Sequence, residues 1–459
     1  MAKLWQKTYT LDKLMEAFTV GDDHLLDRHL IVADCVGSIA HGAMLAKIGV
    51  LTKAEFKALK AGLVGIIKNA ADFPITLEDE DVHTAVENYL TAKLGDAGKK
   101  IHTGRSRNDQ IIVDTRLYSK GFLFTFQNEA LSLVHELHAF AEKHKAVPMV
   151  GRTHMQVAMP SSVGLWAGAM AESLLDDLEV VQTAYKLNDQ CPLGSAASYG
   201  IPLPLDREMV ARSLGFAKVQ NNVLYANNSR GKIESVILQA IQQTVLTLSK
   251  MAQDLILWSM PEFGYFTLPD ELCSGSSIMP QKKNPCGLEL VRAKAAVIEG
   301  CVNTVTGIIK GLPSGYNRDL QATKGPFITG CNTGIMCVEV CALTIRKLQV
   351  NRERCIAAFT PEVFATDKAL ELVADGMPFR DAYKHVGTHL DQLKNEDPVA
   401  AIRKKTHTGT TGNLKLGVIA AGLKAGRSRQ KKAAAAFDKA LRSLTGLKDV
   451  TVYRKPYGT

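Results

Sequence analysis

The chain has 459 residues, too many for one ordinary hydrophobic core, so we expect two or three domains. Its composition, 46% hydrophobic and 22% charged, is typical of a soluble globular protein, and no apolar run is long enough to predict a membrane span. The net charge of +9 is compatible with nucleic acid or with anionic substrates as partners. Because the N-terminus has no apolar signal core and the nine cysteines contain no Cys-x-x-Cys pair, we predict a cytoplasmic protein with reduced thiols.

Residues 1–105 predict a first domain of short helices punctuated by Gly and Pro. One helix is expected to begin after Thr52, a favourable N-cap residue, with Glu55 supporting its first turn.

Residues 106–360 carry much longer amphipathic patterns, which predict helices over about 162–188, 229–258 and 288–310. In the middle one, apolar residues recur at heptad-like spacing from Ile233 to Leu255, and the helix would be about 45 Å long. Such stripes carry more apolar surface than one chain can cover. We therefore expect several chains to associate through this central region.

Residues 361–459 again predict shorter helices, over about 379–386, 398–404 and 433–444. Basic residues at 424–432 are expected to open the last of these helices. Because no aromatic residues are interleaved, they favour a solvated helix start over a nucleic-acid site. The sequence therefore predicts an all-α fold, with a central bundle of long helices and two smaller helical end domains.

The most informative segment is Gly-Ser-Ser-Ile-Met-Pro-Gln-Lys-Lys-Asn-Pro at residues 275–285, which we call the lid loop. It ends a stretch of about 25 residues between two predicted helices, and a connection of that length is usually functional. Its hydroxyl, ammonium and amide groups suit a lid that closes over an anion.

Three further segments concentrate polar groups: residues 102–110, 151–156 and 316–324. The first is either a helix N-terminus directed at an anion or a solvated turn. In the second, Arg152, Thr153, His154 and Gln156 within six residues favour a functional role over a purely structural histidine. The third suits either a polar ligand or an ordinary polar helix start.

The sequence contains no nucleotide-binding glycine motif, Walker loop, nucleophile elbow or His-Glu-x-x-His zinc motif. We therefore expect chemistry by side chains, with no metal and no organic cofactor. Cations and hydroxyls suit proton abstraction next to a carboxylate, because the resulting aci-carboxylate is doubly negative and needs fixed cations and N–H donors. Such a reaction also needs a base, and a separate acid for the leaving group.

The lid loop resembles the signature of the fumarase/aspartase superfamily, and its Gln-Lys-Lys form resembles the argininosuccinate lyase branch. The resemblance extends over nearly the whole chain, and other segments similar to that branch are residues 51–55, 79–84, 100–110, 311–321 and 376–382. It implies reversible β-elimination of argininosuccinate to L-arginine and fumarate, a step of arginine biosynthesis, without a cofactor. It also implies a homotetramer with a central bundle of twenty long helices and active sites that each draw on three chains, with neither nucleic acid nor membrane as partner.

The resemblance further implies roles for individual residues. Ser276 would take the proton from the carbon next to a carboxylate. Thr153 and His154 would lie on the leaving-group side, where His154, held by Glu289, would act as or position the general acid.

The remaining residues implied by the resemblance bind substrate. Lys282 and Asn284 would stabilise the aci-carboxylate and hold the fumarate part. The others are His83 at the substrate entrance, Ser106, Arg107 and Asn108 around a carboxylate, Arg230, and Tyr316, Gln321 and Lys324 around the arginine part.

The sequence also departs from this branch. The usual Trp-Gly-Gly-Arg-Phe start is replaced at residues 5–9, and the segment 18–28 is longer, with Asp23 nearest to an expected substrate-contacting serine. The other departures are residues 228–231, Arg152 and Cys286, which replace an acidic-Arg-acidic pattern, a tyrosine and an aspartate. Because these changes concern the amine leaving group, another fumarate-releasing lyase of N-substituted aspartates stays open as an alternative. A non-catalytic structural homologue is a second alternative, which the presence of Ser276, His154, Lys282, Asn284 and Glu289 disfavours.

Overall fold

The computed structural model describes residues 12–457, which are mainly helical. The departure at residues 5–9 lies outside the described residues. The helices of the N-terminal part are α1 (Lys13–Val20), α2 (Asp23–Leu26), α3 (Ile31–Lys47), α4 (Lys53–Lys68), α5 (Val82–Leu94) and α6 (Asp96–Lys100). Helix α4 begins as predicted, because Thr52 and Glu55 form a capping box.

Five long helices form an elongated bundle, with two short helices in the connection after α8. In chain order these seven are α7 (Arg107–His144), α8 (Val163–Asn188), α9 (Arg207–Ser213), α10 (Val223–Asn228), α11 (Lys232–Ser259), α12 (Cys286–Ile309) and α13 (Lys324–Lys347). The later helices are α14 (Arg352–Ala357), α15 (Ala365–Ala374), α16 (Phe379–Gly387), α17 (Pro398–Lys404) and α18 (Gly417–Thr445). The predicted all-α class is confirmed, while the domain boundaries near residues 105 and 360 stay a prediction.

Within residues 12–457, three pairs of short strands accompany the helices. The antiparallel hairpin of β1 (Pro148–Thr153) and β2 (Gln156–Ser162) precedes α8. The other pairs are β3 (Gln190–Cys191) with β4 (Lys218–Val219), and β5 (Phe266–Thr267) with β6 (Gln349–Val350).

The sequence patterns locate three of the five long helices to within a few residues, but they do not predict α7 and α13. The apolar pattern of α7 is interrupted by polar side chains that are themselves buried, among them Asp114, Arg116 and Lys120. In α13, Gly325 and Pro326 lie in the first turn and obscure the helical pattern. Tertiary packing overrides the local signal in both helices.

The predicted helix over 433–444 is wrong in its start. Helix α18 begins at Gly417, so the basic residues at 424–432 lie within it and do not open it. This helix packs along α7, and Arg429 forms an exposed ion pair with Glu179 of α8. The basic run therefore covers a solvated helix face.

Helices α11 and α12 run antiparallel and define two ends of the bundle. A Cβ on Gly231, just before α11, would come within 2.5 Å of Cγ2 of Ile309 at the end of α12. The opposite ends of the two helices are joined by residues 260–285. Because the helices have 28 and 24 residues, the two ends lie about 40 Å apart. We call them the Ile309 end and the lid end.

The stretch Arg318–Lys347 is long and apolar enough, by length and composition alone, to cross a membrane. In the structure this stretch contains α13, which packs against α7, α11 and α12, and 67% of its most apolar window is buried. Its apolar composition is that of a core helix in the bundle.

Candidate active site

An open cleft lies at the Ile309 end. It is lined by side chains from five regions of the chain that are distant in sequence. Seven of the predicted substrate-binding residues line it: His83, Arg107, Asn108, Arg230, Tyr316, Gln321 and Lys324. The structure thus brings together the groups predicted to hold a carboxylate and the arginine part.

Lys324 is buried at one side of this cleft and is already paired. Its Nζ forms ion pairs with Asp27 and, at 3.0 Å, with Asp23. Burial alone would lower the pKa of Lys324, but the two carboxylates raise it above its usual value. Two carboxylates therefore share one ammonium on this side of the cleft.

Gln321 and Arg318 hold the chain that leads into the cleft. The Gln321 side-chain amide donates to the carbonyls of Thr19 (2.9 Å) and Val20 (3.2 Å), and Arg318 donates to the carbonyl of Thr19 (2.7 Å). These bonds fix the end of α1 against the cleft. Gln321 therefore shapes the cleft wall in addition to its predicted role in binding.

The N-terminus of α7 forms another wall. Ser106 is the N-cap residue, and its capping box with Asp109 fixes the first turn. The Arg107 guanidinium is paired with Glu80 at 3.1 Å and with Asp81 at 3.3 Å. A substrate carboxylate therefore competes with these two acidic groups for Arg107.

The departure at residues 228–231 has a structural use. The Asn228 side chain accepts from the Gly315 N–H (2.8 Å) and donates to Ser314 Oγ (3.2 Å), which fixes the turn before Tyr316. The Arg230 guanidinium lies 5.7 Å from the centre of the Tyr316 ring, within cation–π range.

The lid loop lies at the other end of the bundle. It is closed at its base by two hydrogen bonds between Ser274 and Asn284, N–O distances 3.0 and 2.8 Å. Cys286, the departure directly after the loop, contacts the Ser274 hydroxyl at 2.7 Å and so forms part of this base. Lys282 on the loop and Glu289 in the first turn of α12 are both exposed.

Within the loop, the Ser276 Oγ accepts hydrogen bonds from two backbone N–H groups, those of Ile278 (3.3 Å) and Met279 (3.1 Å). Hydrogen bonds donated to an oxygen favour its negatively charged form. The conformation of the loop thus supplies Ser276 with two main-chain donors that a serinate would need.

His154 lies at the tip of the β1–β2 hairpin, also at the lid end. His154 and Met155 both have positive φ, 52° and 64°, as a two-residue hairpin turn requires. This conformation costs non-glycine residues on the order of 1–3 kcal/mol each, and such strain is concentrated at functional sites. Thr153 and His154 are exposed in the single chain.

Arg152, which stands where the branch has a tyrosine, stabilises this turn. It donates to the Met155 carbonyl (3.2 Å), and its guanidinium lies 4.9 Å from the centre of the Phe263 ring. Phe263 belongs to the segment that leads into the lid loop. Arg152 therefore links the hairpin to the base of the lid.

One chain does not bring all predicted site residues together. Seven line the cleft and Ser106 caps the adjoining helix, whereas Thr153, His154, Ser276, Lys282, Asn284 and Glu289 lie at the lid end. Groups that react must approach to about 3–3.5 Å, and the two ends are about 40 Å apart. One chain therefore does not form a single site that contains all of these predicted residues.

Five charged residues of the cleft were not among the predicted site residues: Asp23, Asp27, Glu80, Asp81 and Arg318. Asp81 is the N-cap residue of α5, and its side chain accepts from the Thr84 N–H. The sequence indicates that Asp81 can act as an N-cap residue. Its position at the cleft cannot be predicted locally, because it depends on the packing of helices that are distant in sequence.

A family model described as Lyase matches residues 6–300. The chain is 44% identical over 420 residues to the argininosuccinate lyase of Sorangium cellulosum, covering 91% of this chain and 97% of that relative. It is 42% identical over 395 residues to the argininosuccinate lyase of Thermotoga neapolitana, covering 86% of this chain and 99% of that relative.

Solved structures match the fold at lower sequence identity. EDDS lyase in complex with formate gives a TM-score of 0.81 at 22% identity, covering 96% of this chain and 95% of that one. The class II fumarase of Schistosoma mansoni gives 0.70 at 17% identity, covering 95% and 96%. Given the identity to its relatives over most of both chains, the protein belongs to the argininosuccinate lyase family of the fumarase/aspartase superfamily.

Proposed function

We propose that the protein catalyses the reversible β-elimination of argininosuccinate to L-arginine and fumarate, as a cytoplasmic enzyme of arginine biosynthesis. The observation that carries this proposal is the 44% identity over 91% of the chain to an argininosuccinate lyase. The carbon–nitrogen lyase chemistry also agrees with the side chains of the lid loop and the cleft.

In the proposed mechanism, Ser276 is the base. Its Oγ, as serinate, takes a proton from the carbon next to a carboxylate of the succinate part. The electron pair of that C–H bond moves into the carboxylate, giving a doubly negative aci-carboxylate. Lys282 and Asn284 lie on the same loop and supply an ammonium and an amide to this charge. The N-terminus of α12 follows at once and adds its positive dipole.

The second step breaks the carbon–nitrogen bond. The electron pair returns to form the carbon–carbon double bond of fumarate, and the leaving nitrogen takes a proton. We assign this proton delivery to the side of Thr153 and His154, with Glu289 orienting His154. Reversal of these steps adds arginine to fumarate.

The cleft binds the rest of the substrate. Ser106, Arg107 and Asn108 at the start of α7 suit a carboxylate, since a cation and helix N–H groups converge there. Tyr316, Gln321 and Lys324, with the carboxylates of Asp23 and Asp27, suit the arginine part. This part carries both positive groups and a carboxylate, and Lys324 and the two acids provide both signs of charge.

We propose that the active assembly is a homotetramer in which each site is shared between three chains. The bundle helices expose large apolar side chains that would be buried by such contacts: Leu246 on α11, Leu290 and Val297 on α12, and Met336 and Leu343 on α13. Leu290 is 57% exposed. Association would also bring the lid end of one chain to the Ile309 end of another, which a complete site requires.

Asp23 provides a test of amine recognition, because it stands nearest to a position where the branch has serine. We expect Asp23→Ser to raise KM for argininosuccinate by about tenfold, since a hydrogen bond to a charged group is worth about 1.5–3 kcal/mol. The measurement is steady-state kinetics of fumarate release. Asp22→Ser, on the exposed neighbour that makes no capping bond, is the matched control and should leave KM unchanged. Equal KM values in the two variants would remove Asp23 from recognition.

A panel of substrates separates the two alternatives. Fumarate release is compared with argininosuccinate, aspartate, adenylosuccinate and diamine-linked succinates at equal concentration. If kcat/KM is highest with argininosuccinate, the proposal is supported. If it is highest with another substrate of the panel, the protein is a lyase that releases the amine of that substrate. Release from none of them points to a non-catalytic structural homologue.

A further inference from the structure

A buried cluster lies directly behind His83, on the side away from the cleft. The His83 Nδ1 is 2.9 Å from Oδ1 of Asp34 on α3 and 3.6 Å from Oδ2 of Asp114 on α7. The exposed fractions of the three residues are 5%, 2% and 1%. Three helices distant in sequence therefore converge on one imidazole, and neither acid lines the cleft.

The carboxylates of Asp34 and Asp114 have too few hydrogen-bond partners to stabilise two negative charges. Among the described residues, Oδ2 of Asp34 and both side-chain oxygens of Asp114 are buried without a hydrogen-bond partner. Burial raises the pKa of Asp114 well above its usual range, and the neighbouring charges of Asp34 and Asp27 raise it further. Burial and these neighbouring charges therefore favour the neutral form of Asp114.

The charges around His83 favour its protonated form. Burial alone would lower the pKa of His83, but the hydrogen bond and charge of Asp34, with the charges of Asp81 and Asp27, raise it above its usual value. The cationic groups on the neighbouring elements are Arg105, Arg107 and Lys324, whereas burial and the charge of Arg105 lower the pKa of His102 to about 4. His83 lines the cleft. Because its Nδ1 is hydrogen-bonded to Asp34, its Nε2 is the ring nitrogen that can bind a ligand.

We propose that Asp34 is a positioning residue that holds His83 as an imidazolium, with its Nε2–H directed into the cleft to bind a substrate carboxylate. This inference rests on the proposed function, because it assigns a carboxylate of the substrate to His83. Asp34 supplies the compensating charge, while Asp114 lies 3.6 Å from the same ring nitrogen and makes no hydrogen bond to it. The imidazolium adds a cation to a cleft in which Arg107 and Lys324 are already paired with acids.

The test uses three single variants of the full-length protein. Asp34→Asn removes the compensating charge, so the pKa of His83 falls and the ring is neutral at neutral pH. We expect KM for argininosuccinate to rise by about ten- to a hundredfold, the range for loss of a hydrogen bond to a charged group, with kcat little changed. Because a lower pH restores the imidazolium, KM of this variant should recover as the pH is lowered. Wild-type KM should stay flat over the same range.

Asp114→Asn mimics the neutral acid and should leave KM within about threefold of the wild-type value. Asp254→Asn is the control for loss of a partly buried carboxylate, since Asp254 accepts from the Trp166 indole N–H (3.0 Å) far from His83. If Asp34→Asn fails to fold, Asp34→Glu keeps the charge and should keep the flat KM profile. An unchanged KM in folded Asp34→Asn, or a KM that does not recover at lower pH, overturns the proposal.

A cation could take the place of the His83 Nδ1 proton, because one ligand atom from each of Asp34, His83 and Asp114 lies within 4.8 Å of the others. Stoichiometric metal in the purified protein, with activity lost on chelation and regained on metal addition, would overturn the proton assignment. If the wild type shows no turnover of argininosuccinate, the proposed function fails. The cluster is then tested by fumarate binding in calorimetry, where Asp34→Asn should weaken binding and regain it at lower pH.

Discussion

Replacement of Ser276 by alanine is expected to lower kcat for argininosuccinate cleavage by about a thousandfold or more, because it removes the proposed base. Substrate binding should be nearly unchanged, since the cleft residues lie on other elements. The structure gives the physical reason for choosing this serine. Its Oγ accepts from the N–H groups of Ile278 and Met279, which favour a serinate, and a water-free closed site would favour it further.

The matched control is Ser277→Ala, one residue further along the same loop, which should retain near wild-type kcat. Fumarate release gives kcat, and calorimetry with argininosuccinate gives the binding constant of the inactive variant. A kcat of Ser276→Ala within tenfold of the wild type would rule out Ser276 as the base. A loss of binding equal to the loss of turnover would make its role one of substrate contact.

Mixed oligomers of two inactive variants are expected to regain activity. Arg107→Met disables the cleft at the Ile309 end, and Ser276→Ala disables the lid end of the same chain. In a co-expressed oligomer, some sites receive the intact cleft of one chain and the intact lid of another. If each site draws these two parts at random from different chains, about a quarter of the wild-type activity should return.

The control is the same two variants purified separately and mixed as preformed oligomers, which should stay inactive while subunits do not exchange. Different affinity tags on the two chains allow the mixed species to be isolated before the assay. Isolated mixed oligomers with no activity above the single variants would mean that each site is built within one chain. That result would contradict the proposed sharing of sites.

The sequence predicts the helical class well because long apolar stripes such as that from Ile233 to Leu255 report directly on a buried helix face. It fails for α7, whose buried Asp114, Arg116 and Lys120 break the stripe. Those polar residues are tolerated because partners from distant segments satisfy or balance them. Lys120, for example, pairs with Asp189 and donates to the Gly215 carbonyl.

The candidate site is predictable as a set of residues but not as a set of interactions. The resemblance names Lys324 and Arg107, yet the structure pairs them with Asp23, Asp27, Glu80 and Asp81. The ion pair of Lys324 with Asp27 spans 297 residues of sequence, so no local pattern could indicate it. The two main-chain donors to Ser276 likewise depend on the conformation of the loop, which its residue types alone do not specify.

The most direct measurement is the initial rate of fumarate release from argininosuccinate by the purified full-length protein, with the Ser276→Ala variant as the blank. The account predicts fumarate and arginine in equal amounts from the wild type, at a kcat/KM above that for aspartate, adenylosuccinate or diamine-linked succinates. Absence of fumarate from argininosuccinate, or a higher kcat/KM with any of the other amines, would contradict it.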